Sequence, residues 1–330
     1  MTKKHSRALL FGVTGGLFLL TALLALCLGS TPLSPIELFY GMLGKAGYET
    51  PGVILCAIRL PRMLAGLLAG AGLALSGSLL QHATDNDLAA PGVLGINAGA
   101  GFCVIVVLSL APGAFYLTPL AAFFGALLTA LVILGVASRA GLGKTVVVLC
   151  GVALSALFSA GISFFSVLDS DVLASYTDFS IGGLRGVTLS DLALAAPIIL
   201  LCLAGALFLA KRLHLLSLGD TLANSLGIRV KRVRLFALLL ACACAAAAVS
   251  FAGLLGFIGL IVPHITRRLC RSSTASELIL SPLLGGILLT LADLLGRVLL
   301  SPTEIPVGIL TALLGVPFFL YLLLGRKRYA

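Results

Sequence analysis

The sequence has few charged residues. Only 10% of its 330 residues are Asp, Glu, Lys or Arg, whereas 60% are hydrophobic, and soluble globular chains carry about 25% charged residues. The mean hydropathy is +1.17. Too little polar material is present to cover the surface of a water-soluble protein. The composition therefore excludes a soluble enzyme, a disordered chain and a soluble nucleic-acid-binding domain, and it predicts a membrane protein.

Tryptophan is absent, and the residues that form metal sites or disulfides do not cluster. The four histidines are His5, His82, His214 and His264. The eight cysteines include no Cys-x-x-Cys pair, and most lie inside apolar runs, so we predict thiols that pack as small hydrophobic side chains. No ligand spacing typical of zinc is present. We therefore predict that this chain itself binds no metal and no cofactor.

Long apolar runs dominate the sequence, and about 20 such residues cross a bilayer as a helix. The candidate spans lie at about 8–29, 63–80, 93–111, 114–137, 146–168, 189–210, 234–252, 255–266, 277–300 and 306–325. The first is too long for the apolar core of a signal peptide and is interpreted as a retained helix. Small-residue pairs such as Gly66/Gly70 let membrane helices approach closely. We predict an all-α polytopic membrane protein, with about ten transmembrane helices in one compact bundle and a single domain over 1–330.

The positive charges are distributed unevenly between the segments that join these spans. With the N-terminus inside, the inner segments hold 17 of the 22 Lys and Arg residues and the outer segments hold 5. Cytoplasmic loops are enriched in these residues. The bias predicts an even number of spans with both termini cytoplasmic. It also explains the net charge of +10 without a nucleic-acid partner.

Two polar features lie inside the spans, and each has a functional and a structural interpretation. Asp293 precedes Arg297 by one turn. An intramembrane charge is a functional candidate, but an ion pair between residues four apart is the favoured interpretation. Ser155, Ser159 and Ser163 recur every four residues. They could line a polar path, or they could bond to backbone carbonyls one turn back and permit close packing.

The longest inner loop, about 211–233, contains a short helix pattern. Asp220 or Thr221 is placed to cap its start, and Gly227 is placed to end it. Its two leucines that share one face are Leu222 and Leu226. A short helix with an apolar face in a polar loop predicts contact with the lipid interface or with a partner protein.

One segment superficially resembles a nucleotide-binding loop. Residues 138–145 read Ser-Arg-Ala-Gly-Leu-Gly-Lys-Thr, but the phosphate-binding pattern requires glycine in place of Ser138. No other segment suggests ATP hydrolysis, and no credible nucleophile–base pair points to a membrane enzyme. We therefore predict that the chain is not an enzyme.

An ordered set of motifs resembles a known family. The matching stretches are Arg59–Arg62 with the glycine-rich span that follows to Gly77, Leu88–Gly95, Gly151–Leu154, Gly219–Gly227, Gly256–His264, Leu291–Asp293, Glu304–Gly308 and Gly315–Phe318. Together they resemble permease subunits of the FecCD type. These are the membrane halves of binding-protein-dependent, ATP-driven importers for iron–siderophore complexes, haem and cobalamin.

The resemblance implies a type II ABC importer permease fold that works as a homodimer in the cytoplasmic membrane of a bacterium or archaeon. It implies two cytoplasmic ABC ATPase subunits, which hold ATP and Mg, and an external substrate-binding protein. The coupling helix that contacts the ATPase would comprise Gly219, Asp220, Leu222, Ala223, Leu226 and Gly227. The outward-facing arginines that meet acidic residues of the binding protein would be Arg59, Arg62 and Arg297. The translocation path would be bordered by Ser155, Ser159 and Ser163, with an inner constriction around Lys144 and Thr145.

The expected function is import of an iron complex, a ferric siderophore or haem, by alternating access. A cobalamin importer permease is the first alternative. An ion-coupled secondary transporter is the second, and it would need intramembrane carboxylates or interrupted helices in two matching halves. Only Asp293 hints at that arrangement.

Overall fold

The structure is a computed structural model that describes residues 3–29, 33–45, 47–139, 144–270 and 273–326. The described residues form α-helices and no β-strand. The helices are α1 (Lys3–Cys27), α2 (Pro35–Met42), α3 (Glu49–Val53), α4 (Leu60–Thr84), α5 (Ile96–Leu110), α6 (Thr118–Arg139), α7 (Lys144–Leu168), α8 (Ser170–Ile181), α9 (Leu189–Leu216), α10 (Asp220–Ser225), α11 (Val230–Ala252), α12 (Ile258–Cys270), α13 (Thr274–Val298) and α14 (Val307–Arg326). The all-α prediction is confirmed.

Each of the ten predicted spans overlaps a different one of these helices. Within the described ranges, seven helices are long and apolar enough to cross a membrane. Two shorter apolar helices, Ile96–Leu110 and Val307–Leu322, and the 13-residue α12 complete the set. Helix α12 begins at Ile258, later than the predicted span at 255–266. Gly253 and Phe257 adopt positive φ angles of 71° and 65°, so α11 ends before Gly253 and α12 starts after Phe257.

The second span lies at the centre of the bundle, and its small residues let neighbouring helices approach closely. Helix α4 continues a longer helical segment, Glu49–Thr84, that includes a π-helical stretch at Ile54–Arg59. It packs most extensively against α13 and α11. Its glycines permit direct backbone contact, because a methyl group added at Gly70 would overlap the carbonyl of Gly285 on α13. The central position of α4 therefore depends on the absence of side chains at its contact points.

Two short helices, α2 and α8, were not predicted from hydrophobicity. They lie on the side that the charge bias predicts to be outer, and this side is called the outer side below. Helix α2 starts with a capping box, in which Ser34 and Glu37 exchange side-chain-to-backbone hydrogen bonds. The hydrogen bond from the Ser34 backbone N–H is the main cause that lowers the pKa of the Glu37 carboxyl. Asp169 caps α8 by accepting hydrogen bonds from the N–H groups of Asp171 and Val172. Side-chain caps thus define these helices in segments too short to cross a bilayer.

Helix α8 is joined to two spans by backbone hydrogen bonds. The N–H of Leu254 donates to Phe179 at 3.2 Å, and the N–H of Gly183 donates to Ala252 at 3.0 Å. The N–H of Gly308 donates to Gly182 at 3.2 Å. These bonds fix the end of α8 between the end of α11 and the start of α14.

Candidate functional site

Glycines bracket the short helix in the inner loop. Gly219, with φ of 98°, precedes α10, and no side chain caps its start. The expectation that Asp220 or Thr221 is the N-cap is therefore wrong. Gly227 follows with φ of 81°, and the N–H of Ile228 donates to the carbonyl of Ala223 at 3.0 Å. This arrangement is typical of a glycine-terminated helix, so Gly227 ends the helix as predicted.

The two leucines of this helix lie on the protein surface. Leu222 is 57% exposed and Leu226 is 59% exposed, whereas Ala223 between them is fully buried. The helix thus packs through its smallest side chain and leaves its largest apolar ones uncovered. Exposed apolar surface bordered by polar residues is a common mark of an interaction site.

A buried arginine attaches α10 to the bundle. Arg234 on α11 donates from Nε to the carbonyl of Ala83 at 2.7 Å and from a terminal nitrogen to Asp220 at 3.0 Å. Ala83 lies in the last turn of α4. Arg234 therefore joins the start of α10 to the central helix of the bundle. The sequence reasoning missed it, because Arg234 lies in a basic run that orientation alone explains.

Replacing Arg234 with glutamine should loosen α10. Charge-assisted hydrogen bonds contribute about 1.5–3 kcal/mol each, and because Asp220 is half exposed we expect the attachment to weaken by about 1.5 kcal/mol. Local opening of the loop would then increase about tenfold. Hydrogen–deuterium exchange of residues 219–229 measures this change. The control is Lys231→Gln, which removes an exposed charge from the same helix, and equal exchange in the two variants would contradict the anchoring role.

The three outer arginines are buried. Arg59 is 3% exposed, Arg62 is 9% and Arg297 is 6%. Arg59 donates to the carbonyls of Leu26 and Cys27 at the end of α1. Arg297 donates to the carbonyl of Ala25 at 3.3 Å. These bonds satisfy carbonyl groups that the last turn of α1 leaves without helical partners.

Arg62 is the centre of a buried ion-pair network. It donates two bonds to Asp293, at 2.9 and 3.0 Å, and it also contacts Glu304 at 3.0 Å. Nε of Arg297 lies 3.2 Å from Asp293, although it is not aligned for a hydrogen bond. The structural interpretation of Asp293 is thus confirmed, and the network also includes a second arginine and a second carboxylate.

The outer arginines differ from their expected exposure. The family resemblance implied that Arg59, Arg62 and Arg297 face outward. In the structure, their side chains are buried and contact α1 and α13. The exposed outer cations of the described residues are instead Lys45 and Arg185. The docking role of the three arginines remains a prediction, but their side chains offer little surface to a partner in this conformation.

The three serines of α7 occupy different environments. Ser155 is half-buried, and its Oγ donates to the carbonyl of Gly151 at 2.8 Å and packs against Gly95. Ser159 and Ser163 are exposed, and Ser163 donates to the carbonyl of Ser159 at 3.0 Å. A spacing of four residues turns about 40° per step around a helix, so Ser155 reaches the packed side. Ser155 and Ser163 thus both bond to a carbonyl one turn back, and Ser155 also permits close packing. The path role of the three serines remains a prediction.

A polar network at the inner ends of α4, α12 and α13 was not expected from sequence. Arg267 forms an ion pair with Asp87, donates a hydrogen bond to the side-chain oxygen of Gln81 at 3.1 Å and lies 3.4 Å from Glu277. Glu277 is also 3.1 Å from Nε2 of His82. Arg267 lies at the end of a span, where its charge was explained by orientation. The network links the loop after α4 to α12 and α13.

Two further features concern the ends of the bundle. On the outer side, a cavity of about 340 Å³ is bordered by Arg62, Asp178, Arg185, Glu304 and the backbone of Gly182 and Gly253. On the inner side, α7 begins at Lys144. Lys144 and Thr145 of the expected inner constriction are thus the first residues of α7, and their role in a constriction remains a prediction. Residues 140–143 of the segment 138–145 lie outside the described residues.

The described helices, seven of them long and apolar enough to cross a membrane, define a multi-pass membrane protein with an exposed short helix in one loop. The sequence model of the FecCD transport family matches residues 17–325. The chain therefore belongs to this family, and the resemblance inferred from its motifs is confirmed.

Curated relatives and a solved structure cover nearly the whole chain. The Fe(3+)-citrate import system permease protein YfmE of Bacillus subtilis is 37% identical over 99% of this chain and 98% of its own length. The hemin transport system permease protein HmuU of Yersinia pestis is 39% identical over 94% of this chain and 95% of its own length. A structure described as an inward-facing metal-chelate type ABC transporter has a TM-score of 0.85 and 30% identity, covering 96% of this chain and 99% of that one. The fold prediction is confirmed.

Proposed function

We propose that this chain is the permease subunit of an importer that moves an iron complex, a ferric siderophore or haem, across the cytoplasmic membrane. The observation that carries the proposal is full-length similarity to two permeases whose names specify ferric citrate and hemin. Their identities to this chain differ by only two percentage points, so overall identity does not select one cargo. Cobalamin remains the alternative cargo.

The proposed mechanism is alternating access driven by partner proteins. Two ATPase subunits bind ATP and Mg and hydrolyse ATP, while an external protein delivers the cargo to a homodimer of this chain. Helix α10 is the coupling helix, through Gly219, Asp220, Leu222, Ala223, Leu226 and Gly227. Its exposed leucines support this assignment, because they offer an apolar contact at the tip of an anchored loop. Movement of α10 would pass through Arg234 to the end of α4.

The proposed path lies along the exposed side of α7. Ser159 and Ser163 supply hydroxyl groups on that side, while Ser155 holds α7 close to Gly95. Most of the helix is uncovered in the single chain, which supports its placement beside a second permease subunit. The cargo would then meet few polar groups, so selection would depend largely on the binding protein.

The test of this function is uptake into sealed vesicles. The chain should be reconstituted with its ATPase subunits and binding protein and supplied with ferric siderophore, haemin or cobalamin. We expect ATP-dependent accumulation of an iron complex and none driven by a proton or sodium gradient alone. Uptake of cobalamin only would identify cobalamin as the cargo in place of an iron complex. Gradient-driven uptake without ATP would overturn the permease assignment.

Introducing charged residues into α10 should uncouple ATP hydrolysis from transport. Replacing both Leu222 and Leu226 with aspartate places charges in an interface expected to be apolar, and binding energy concentrates in a few such buried contacts. We expect transport to fall more than tenfold while the chain still inserts. The control is Leu269→Asp, which alters another exposed leucine near the inner side. Normal transport in the double variant would remove α10 from the ATPase interface.

A further inference from the structure

A basic cavity lies between the inner ends of α9 and α11. Its volume is about 350 Å³. Three arginines and four apolar side chains border it, namely Arg212, Arg229, Arg232, Leu209, Ile228, Val233 and Phe236. It lies on the side of the bundle that carries most of the Lys and Arg residues. The cavity is distinct from α10, the serines of α7 and the outer arginines.

The three arginines carry charges that no described carboxylate neutralises. Across the described ranges, no carboxylate forms an ion pair with Arg212, Arg229 or Arg232. All three are exposed. The guanidinium of Arg212 lies 5.5 Å from the ring centre of Phe208, which is a cation–π contact and leaves the charge in place. Like charges around one cavity repel each other, so a bound anion would stabilise the arrangement.

The apolar part of the cavity indicates what kind of anion fits. Phe236 and Phe208 are exposed on the outside of the bundle, in helices long and apolar enough to span the membrane. Guanidinium groups bind phosphate through paired hydrogen bonds, and apolar side chains beside them can contact acyl chains. A soluble phosphate would use the arginines alone. Basic pockets between helices on the cytoplasmic side are typical sites for anionic lipid headgroups.

We propose that this cavity binds an anionic phospholipid of the cytoplasmic leaflet. Its phosphate contacts Arg212, Arg229 and Arg232, and its acyl chains lie along Phe236. Gly227 and Ile228, which follow α10, border the same cavity. A bound headgroup would therefore contact the turn between α10 and α11. The inference rests on the membrane placement of the chain and on the predicted orientation that makes this side cytoplasmic, and it holds for any cargo.

The test compares two triple variants with equal loss of charge. The first is R212Q/R229Q/R232Q. The control is K211Q/K231Q/R268Q, which removes three exposed positive charges from the same side but from outside the cavity. Native mass spectrometry of the purified full chain, titrated with phosphatidylglycerol or phosphatidylcholine, measures retained lipid. Each cation near an anionic headgroup contributes about fivefold in affinity. We therefore expect the affinity for phosphatidylglycerol to fall more than tenfold in the first variant and less than threefold in the control. Equal losses would overturn the site.

Two further arms separate a lipid from a soluble anion. Glycerol 1-phosphate is a phosphate monoester with more negative charge than the phosphodiester of phosphatidylglycerol but no acyl chains, and it should still compete at least a hundredfold less well than phosphatidylglycerol. Phe236→Ala should weaken phosphatidylglycerol binding severalfold, because it removes apolar contact and keeps the arginines. Equal competition by glycerol 1-phosphate, or unchanged lipid binding in Phe236→Ala, would show a soluble-anion site and overturn the proposal.

Discussion

Replacing Arg62 with glutamine is expected to destabilise the folded chain by about 3 kcal/mol. Removing one partner of a buried ion pair typically costs about 3–5 kcal/mol, because the other charge stays buried without compensation. Asp293 is 4% exposed and would keep only Arg297, whose Nε is poorly aligned. That remaining charge places the expected cost at the lower end of the range. Glu304 would lose its ion pair with Arg62 as well.

Thermal unfolding of the purified chain in detergent measures this effect. The control is Arg185→Gln, which removes an exposed arginine from the same outer side and should change stability by less than about 0.5 kcal/mol. The double variant R62Q/D293N should recover part of the loss, since it removes the uncompensated carboxylate together with its partner. If R62Q melts like R185Q and only binding-protein affinity falls, Arg62 contacts the partner and the structural role is wrong.

The burial of the outer arginines illustrates what the sequence leaves undetermined. Arg59, Arg62 and Arg297 lie at the ends of apolar runs, where a charge usually meets water. Their actual partners are the carbonyls at the end of α1 and the carboxylate of Asp293. The Arg297–Ala25 contact spans 272 positions of the chain. Such a pairing depends on how the helices pack against each other, and local hydrophobicity does not predict it.

The features that were predictable depend on length and spacing. The spans follow from apolar runs, because a backbone in lipid must satisfy its own hydrogen bonds as a helix. The common face of Leu222 and Leu226 follows from their separation by four residues. Helix α8 could not be predicted in this way, since its sequence is mixed and its position depends on backbone bonds to Ala252 and Gly308.

The contact between α4 and α12 gives the second large expected effect. A methyl group at Gly77 would overlap the carbonyl oxygen of Gly259, and it would also lie only 2.6 Å from the Cα of Gly259. Neither atom belongs to a flexible side chain, so one helix must move. Overpacking of a rigid contact costs about 1–3 kcal/mol or more. We expect Gly77→Ala to reach the upper end of this range and to lower the melting temperature strongly.

The matched control for Gly77→Ala is Gly16→Ala in α1. Gly16 is also helical and has no atom within 4 Å of an added methyl group, so alanine there should be neutral or stabilise the helix by up to about 1 kcal/mol. The same chemical change should thus have opposite signs at the two positions, and thermal unfolding of both variants measures the difference. Equal melting temperatures would mean that α4 and α12 do not meet through their backbones. The position of α12 beside the central helix would then not require glycine at position 77.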